Sequence, residues 1–169
     1  MDLKSYLLTQ LEGEAALTRK AVARVPPGRN DFKPHSKSMP LGYLASLVAS
    51  MPGWITLMIE RDELDIGSDP AGNDFRPTVA NSSEELIAML DKAVADARRS
   101  LGSTTEEHLL TPWAFKMGGH VVSQDLRYKM IANAVFSHLA HHRGQLSVYL
   151  RLNDASVPAM YGPSADEQF

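Results

Sequence analysis

The sequence predicts an all-α fold built from four long helices. Four separate segments place apolar residues at the three- and four-residue spacing of an amphipathic helix. The stretches between them are rich in proline, glycine and asparagine, which interrupt helices. With 169 residues, 44% hydrophobic and 22% charged, the chain has the size and composition of one globular domain covering residues 1–169.

The first two helices are predicted in the amino-terminal third of the chain. Residues 2–25 carry a regular leucine stripe, and no proline occurs until Pro26. A second helix is predicted to begin near Met39, with Ser38 as its N-cap. Pro52, followed by a glycine, should kink or briefly break this second helix, because its ring removes a backbone hydrogen bond.

The third helix is predicted to start at a capping box formed by Ser82 and Glu85 and to end at Gly102. The segment before it, residues 60–80, is interpreted as a solvent-exposed loop that connects the second and third helices. It contains six carboxylates without the spacing of a calcium loop: Glu60, Asp62, Glu63, Asp65, Asp69 and Asp74.

The fourth helix is predicted over Ser123–Leu152, a stretch with no proline and a single glycine. Ser123 is its candidate N-cap, and Asp125 suits the positive end of the helix dipole. Residues 103–122 are predicted to hold a short helical turn followed by a short extended connection. The residues after Asn153 form an irregular tail.

Two histidines in this fourth helix form the sharpest chemical feature of the sequence. At 100° per residue, His138 and His142 fall in the middle of the apolar face. Their i, i+4 spacing lets both imidazoles reach one point, which is how helical HxxxH pairs bind metals. The alternative is a pair of partly buried neutral histidines, hydrogen-bonded to Gln145, Tyr149, Ser46 or water.

The other histidines carry weaker signals. His35 lies in a loop, and His108 and His120 lie in the region before the fourth helix, so each is interpreted as a surface or structural residue. His141 lies at the edge of the apolar face, where a packing or interface role is favoured. The sequence contains no cysteine, no glycine-rich phosphate loop, no GxSxG and no HExxH motif.

Several stretches resemble one known family. SHLAHHRGQLSVYLR, VPAMYGPSADE and KSMPLGYLASLVASMPGW are similar to the DinB/YfiT-like superfamily. The resemblance implies an up-down-down-up four-helix bundle with long loops, which is often a homodimer. It also implies a divalent metal, zinc or nickel, held by one histidine of the second helix and two of the last.

In this sequence the resemblance places the last-helix pair at His138 and His142 and puts Leu47 at the position of the second-helix histidine. Gln145 and Tyr149 are the candidates to support these ligands from behind or to orient a substrate. Since leucine cannot ligate, the metal is expected to be weakly bound or absent.

Two functions remain open. The chain is either an enzyme resembling the family's metal-dependent hydrolases or thiol S-transferases, or a non-catalytic, metal-free bundle that binds a small molecule or is associated with stress. The net charge of −3 argues against a nucleic acid or anionic membrane partner. The amino end lacks the pattern of a signal peptide, and no apolar run is long enough to span a bilayer, so a cytoplasmic location is expected.

Overall fold

The computed structural model describes residues 2–67 and 77–168. Asp69 and Asp74, two of the six carboxylates assigned to the second loop, lie outside the described residues. The helices, with a 3₁₀ turn at Met51–Gly53, are α1 (Leu3–Val22), α2 (Leu41–Ser50), α3 (Trp54–Glu60), α4 (Ser83–Ser103), α5 (Glu106–Leu109), α6 (Arg127–Met130) and α7 (His138–Leu152).

Side-chain caps start three of these helices. Asp2 accepts a hydrogen bond from the backbone N–H of Ser5 at the start of α1. The Ser82 hydroxyl accepts one from Glu85 at the start of α4, so the predicted capping serine is confirmed. Thr105 caps α5 in the same way.

The predicted start of the second helix and the predicted end of the third differ from the structure. The second helix begins at Leu41 rather than near Met39, and Pro40 rather than Ser38 occupies its N-cap. Helix α4 runs through Gly102 and ends at Ser103. The expected interruption at Pro52 is confirmed as the 3₁₀ turn between α2 and α3.

Three strands form a mixed sheet in the order β1 (Glu63–Ile66), β2 (Pro112–Met117) and β3 (His120–Leu126). Strand β1 pairs with β2 in parallel, and β2 pairs with β3 antiparallel. The prediction of an all-α four-helix bundle is therefore wrong, because this sheet accompanies the helices. The residues interpreted as a loop, 60–80, contain the end of α3 and all of β1.

A two-residue turn closes the β2–β3 hairpin. Gly118 and Gly119 both have positive φ, 57° and 82°, which glycine adopts without strain and which fits a type I′ hairpin turn. The register shifts after Phe115, so Val122 is the extra residue of a bulge. This bulge brings Ser123 opposite Phe115.

The last helix is shorter than predicted. Residues 123–126 belong to β3, and the continuous helix runs from Arg127 to Leu152. Ser123 is therefore not its N-cap. Its second segment, Ile131–Ser137, is a π-helix, which changes the angular phase of every residue before His138 relative to a regular α-helix.

The long helices pack side by side around one core. Helix α1 contacts α2 and α4, and α2 also contacts α4 and α7. Among the described residues, Leu41–Glu60 is long and apolar enough to cross a membrane by composition, but 61% of its most apolar window is buried in the fold. Its burial identifies it as a core segment.

A buried arginine joins the sheet to the helices. The guanidinium of Arg127, fully buried, donates to the carbonyls of Met58 and Arg61 at the end of α3. It also pairs with the Asp62 carboxylate at 2.9 Å. A cation at a helix carboxyl end satisfies carbonyls that have no partner within the helix.

A second buried arginine anchors the carboxyl-terminal tail. Arg143 pairs with Glu14 of α1 at 2.6 Å and bonds the Thr18 hydroxyl. The Tyr161 hydroxyl bonds both Glu14 and Arg143. Burial, followed by the bond to Glu14, raises the pKa of Tyr161 to about 12, so this phenol remains neutral. The irregular tail is thus tied to α1 and α7.

Candidate functional site

A cavity of about 410 Å³ lies between the helices and the sheet. Its volume is in the range typical of small-molecule sites. The lining comes from α2, α3, all three strands, α6, the π-helical segment and the first residue of α7. The lining residues are Tyr43, Leu47, Trp54, Leu57, Met58, Leu64, Ile66, Trp113, Phe115, Ser123, Met130, Ala134 and His138.

One face of the sheet forms a wall of this cavity. Leu64 and Ile66 alternate along β1, and Trp113 and Phe115 alternate along β2. Alternate residues of a strand point to the same face. Since Leu64 pairs with Phe115, which in turn pairs with Ser123, one row of side chains crosses all three strands toward the cavity.

The cavity has an apolar floor and a polar mouth. Met58, Met130 and Trp113 are at most 5% exposed and mark its interior. His138 and Ser123 are the exposed members of the lining. A ligand that enters from solvent therefore meets an imidazole and a hydroxyl before it reaches the apolar interior.

The histidine pair stands at this mouth. The Nε2 atoms of His138 and His142 are 2.8 Å apart, and the ring centroids are 4.5 Å apart. His142 is only 9% exposed, whereas His138 is exposed. The structure brings the predicted pair together but does not place both rings in the interior, because the π-helical segment and the sheet leave His138 at the edge.

Both imidazoles are disposed to be neutral. Burial lowers the pKa of His138, and the neighbouring His142 lowers it further, against an opposing hydrogen bond to the Ala134 backbone. Burial also lowers the pKa of His142, against the raising effect of its hydrogen bond to Gln145. Neutral imidazole is the form that accepts a hydrogen bond or binds a metal.

The hydrogen bonds behind the pair orient both rings. The Gln145 amide oxygen lies 2.8 Å from His142 Nδ1, so Nδ1 carries the hydrogen and Nε2 a lone pair. The Gln145 amide nitrogen donates a hydrogen bond to His141 Nε2 at 3.1 Å. The 2.8 Å between the two Nε2 atoms then requires His138 Nε2 to carry a hydrogen, which it donates to His142 Nε2. One N–H···N hydrogen bond thus holds the two rings together at the mouth.

This arrangement does not fit a three-ligand metal site. The 2.8 Å between the two Nε2 atoms is a hydrogen-bond distance, and the pair offers only two of the three protein ligands that a catalytic zinc generally needs. Within residues 2–67 and 77–168, no group of three or more histidine, cysteine or acidic side chains is placed to hold a metal. Leu47, the residue at the position of the second-helix histidine, lines the same cavity as His138 with 8% exposure.

The other predicted site residues differ in whether they bond to the histidine pair. Gln145 contacts the pair directly, whereas the Tyr149 hydroxyl donates to the Met39 carbonyl at 3.0 Å. The Ser46 hydroxyl donates to Gly42 and accepts from Ala80, so it does not serve the histidines.

Of the other four histidines, three do not line the cavity and one lies beside the pair. His108 bonds the Ile59 carbonyl at the end of α3, which is a structural role. His35 is exposed in its loop and accepts from the backbone of Lys37, and His120 is exposed at the start of β3. His141 is exposed and lies next to the pair, 5.1 Å from the His142 ring.

Sequence reasoning missed the part of the cavity wall that the sheet forms. Trp113 and Phe115 were assigned to a vaguely extended connection, and Leu64 and Ile66 to a loop. The available signal was the period-two alternation in ELDI and PWAFKM, which is typical of half-buried strands.

The lowered pKa values predict how stability depends on pH. In the unfolded chain both histidines titrate near pH 6.5, above their pKa in the folded chain. The free energy of unfolding should therefore be at its full value above about pH 6.5 and fall as the pH drops below it. When urea unfolding is measured at about pH 7.5 and pH 5, the free energy of unfolding should fall less between the two pH values in His142→Gln than in the wild type. His35→Gln is the control, and an equal reduction in that variant would contradict the assignment.

Comparisons with known proteins identify the family. The DinB family model matches residues 1–168. A DinB-like protein from Bacillus cereus superposes with a TM-score of 0.67 and 20% identity, over 92% of this chain and 95% of that one. A DinB-like protein from Bacillus subtilis superposes with a TM-score of 0.65 and 16% identity, over 89% and 94%. No curated protein matches significantly. The chain belongs to the DinB family.

Proposed function

We propose that this DinB protein binds an apolar small molecule in the cavity without the help of a metal. The observation that carries the proposal is an apolar cavity of about 410 Å³ with a neutral histidine pair at its mouth and Leu47 in its wall. Transfer of apolar surface from water into such a cavity contributes roughly 25 cal/mol per Å². Burial of apolar surface in the cavity provides the affinity, and the polar groups at the mouth orient the ligand.

The histidines have a specific part in this function. His138 is the member of the pair that lines the cavity, while His142 stands behind it and is held by Gln145. A ligand hydroxyl or thiol suits this pair, because it can donate to one neutral imidazole nitrogen and accept from the N–H of the other in place of their mutual hydrogen bond. Because both rings are neutral, they bind such a group without introducing a charge at the mouth.

A metal-dependent hydrolase or thiol S-transferase is the second candidate. It is favoured by the convergence of the two Nε2 atoms and by the hydrogen bonds behind them, which resemble the outer partners of metal-binding histidines. It is disfavoured by Leu47, because a catalytic zinc generally needs three protein ligands. Two imidazoles alone would bind zinc or nickel weakly.

The binding proposal can be tested with a neutral fluorescent probe such as N-phenyl-1-naphthylamine. The wild type should bind the probe and gain thermal stability from it by linkage. Ala134→Phe should weaken binding by about tenfold or more, equivalent to about 1.4 kcal/mol, because the ring fills the cavity.

Asn133→Phe is the matched control for this test. Asn133 is the exposed neighbour of Ala134 on the same helical segment, and its replacement should leave the affinity unchanged. If the two variants bind the probe equally well, the cavity is not the binding site and the proposal is wrong.

The metal question has its own test in zinc titrations of the untagged protein. Wild type should bind zinc weakly and gain little thermal stability. Leu47→His should raise zinc affinity by about tenfold or more, because a third imidazole would share the cavity with His138. The double variant Leu47→His, His142→Ala should lose that gain. One tightly held zinc per wild-type chain after dialysis would favour the enzyme instead.

A further inference from the structure

We infer that the cavity selects an uncharged aromatic ligand, bound ring first with its polar group at the mouth. This inference rests on the small-molecule binding proposed above and adds the chemical class and orientation of the ligand. Charge, ring chemistry and the distribution of polar groups each contribute to it.

The charge of the ligand body follows from the lining. Among the residues that the structure describes, no lysine, arginine, aspartate or glutamate lines the cavity. An ionised group placed inside would lose its hydration without gaining an opposite charge. The part of the ligand that reaches the interior must therefore be neutral.

The walls favour rings over saturated groups. Four aromatic side chains line the cavity, Tyr43, Trp54, Trp113 and Phe115, together with the two methionines Met58 and Met130. Aromatic rings gain from edge and offset contacts beyond the area that they bury, and methionine sulfur also contacts rings favourably. The Trp113 indole N–H donates to the Arg61 carbonyl, which leaves the ring itself as the surface offered to a ligand.

The orientation follows from the separation of polar and apolar residues. The exposed lining residues are Ser123 and His138. The Trp54 ring packs against the His138 ring with an interplanar angle of 53° and the centroids 5.8 Å apart. The buried lining residues are apolar. A ligand with a ring and one hydroxyl therefore binds in a single orientation, with the ring in the interior and the hydroxyl beside His138.

Three probes with the same two-ring skeleton separate the contributions. 2-Naphthol carries an aromatic body and a hydroxyl, and decahydro-2-naphthol has a saturated body with the same hydroxyl. The third probe, 6-hydroxynaphthalene-2-sulfonate, has the aromatic body and the hydroxyl with a permanent charge at the opposite end. Burial of area alone would favour the bulkier saturated alcohol. We expect 2-naphthol to bind at least about fivefold tighter than the saturated alcohol in isothermal titration calorimetry. The sulfonate should bind about 100-fold more weakly or not at all, because its charge would enter the apolar interior when its hydroxyl lies at the mouth.

Phe115→Leu tests whether the sheet wall carries the preference for rings. This change keeps an apolar side chain in β2 but removes one ring, so the affinity ratio of 2-naphthol to the saturated alcohol should fall toward one. Val121→Leu is the control, since Val121 is an exposed residue of β3 outside the cavity lining. It should leave the ratio unchanged.

The outcomes distinguish the inference from the function on which it rests. Equal or tighter binding of the saturated alcohol, or comparable binding of the sulfonate, would overturn the aromatic and neutral selection while the cavity still binds ligands. If none of the three probes binds, or if Ala134→Phe does not weaken their binding, the proposed function fails, and this inference fails with it.

Discussion

The arrangement of the sheet against the helices depends on one buried arginine. Helix α3 ends beneath β1, and its last carbonyls would be buried there without partners inside the helix. Arg127 donates to the carbonyls of Met58 and Arg61, while its own backbone N–H bonds the Thr111 carbonyl just before β2. A buried guanidinium is tolerated because these acceptors and Asp62 satisfy it. The same residue begins the last helix, so Arg127 joins α3, the segment before β2 and the helix that carries the histidines.

The cavity lies beside this junction, because Met58 and Trp113 belong both to the contacts around Arg127 and to the lining. The sheet approaches the helices through Trp113, whose indole N–H bonds the Arg61 carbonyl beside the arginine. Beyond this contact, side chains from both layers line a space that they do not fill. The π-helical segment between Arg127 and the histidines supplies Ala134, a small side chain, to its wall. His138 lines the polar end, and Leu47 keeps its part of the wall apolar.

Sequence patterns predicted the parts of the molecule that depend on local chemistry. The helical stripes, the capping serine at Ser82, the break at Pro52 and the meeting of His138 with His142 follow from residue spacing within one segment. The sheet did not follow, because its strands are short, separated in the chain and partly carboxylate-rich. Ser123 looked like an N-cap because serine favours that position, yet strand pairing with Phe115 determines its conformation. The sequence also did not predict that His138 is exposed, because a regular period of 3.6 residues per turn gives no sign of the π-helical segment that precedes it.

The central claim is that a small molecule occupies the space between the sheet and the helices, and methyl NMR tests it most directly. The chain has 8 methionines, of which Met58 and Met130 line the cavity, while Met117 is exposed at the end of β2. In protein labelled with ¹³C at the methionine methyl groups, addition of 2-naphthol should shift the Met58 and Met130 signals and leave that of Met117 in place. Shifts confined to Met117 or to other methionines outside the cavity, or no shift at Met58 and Met130 at saturating ligand, would contradict the account.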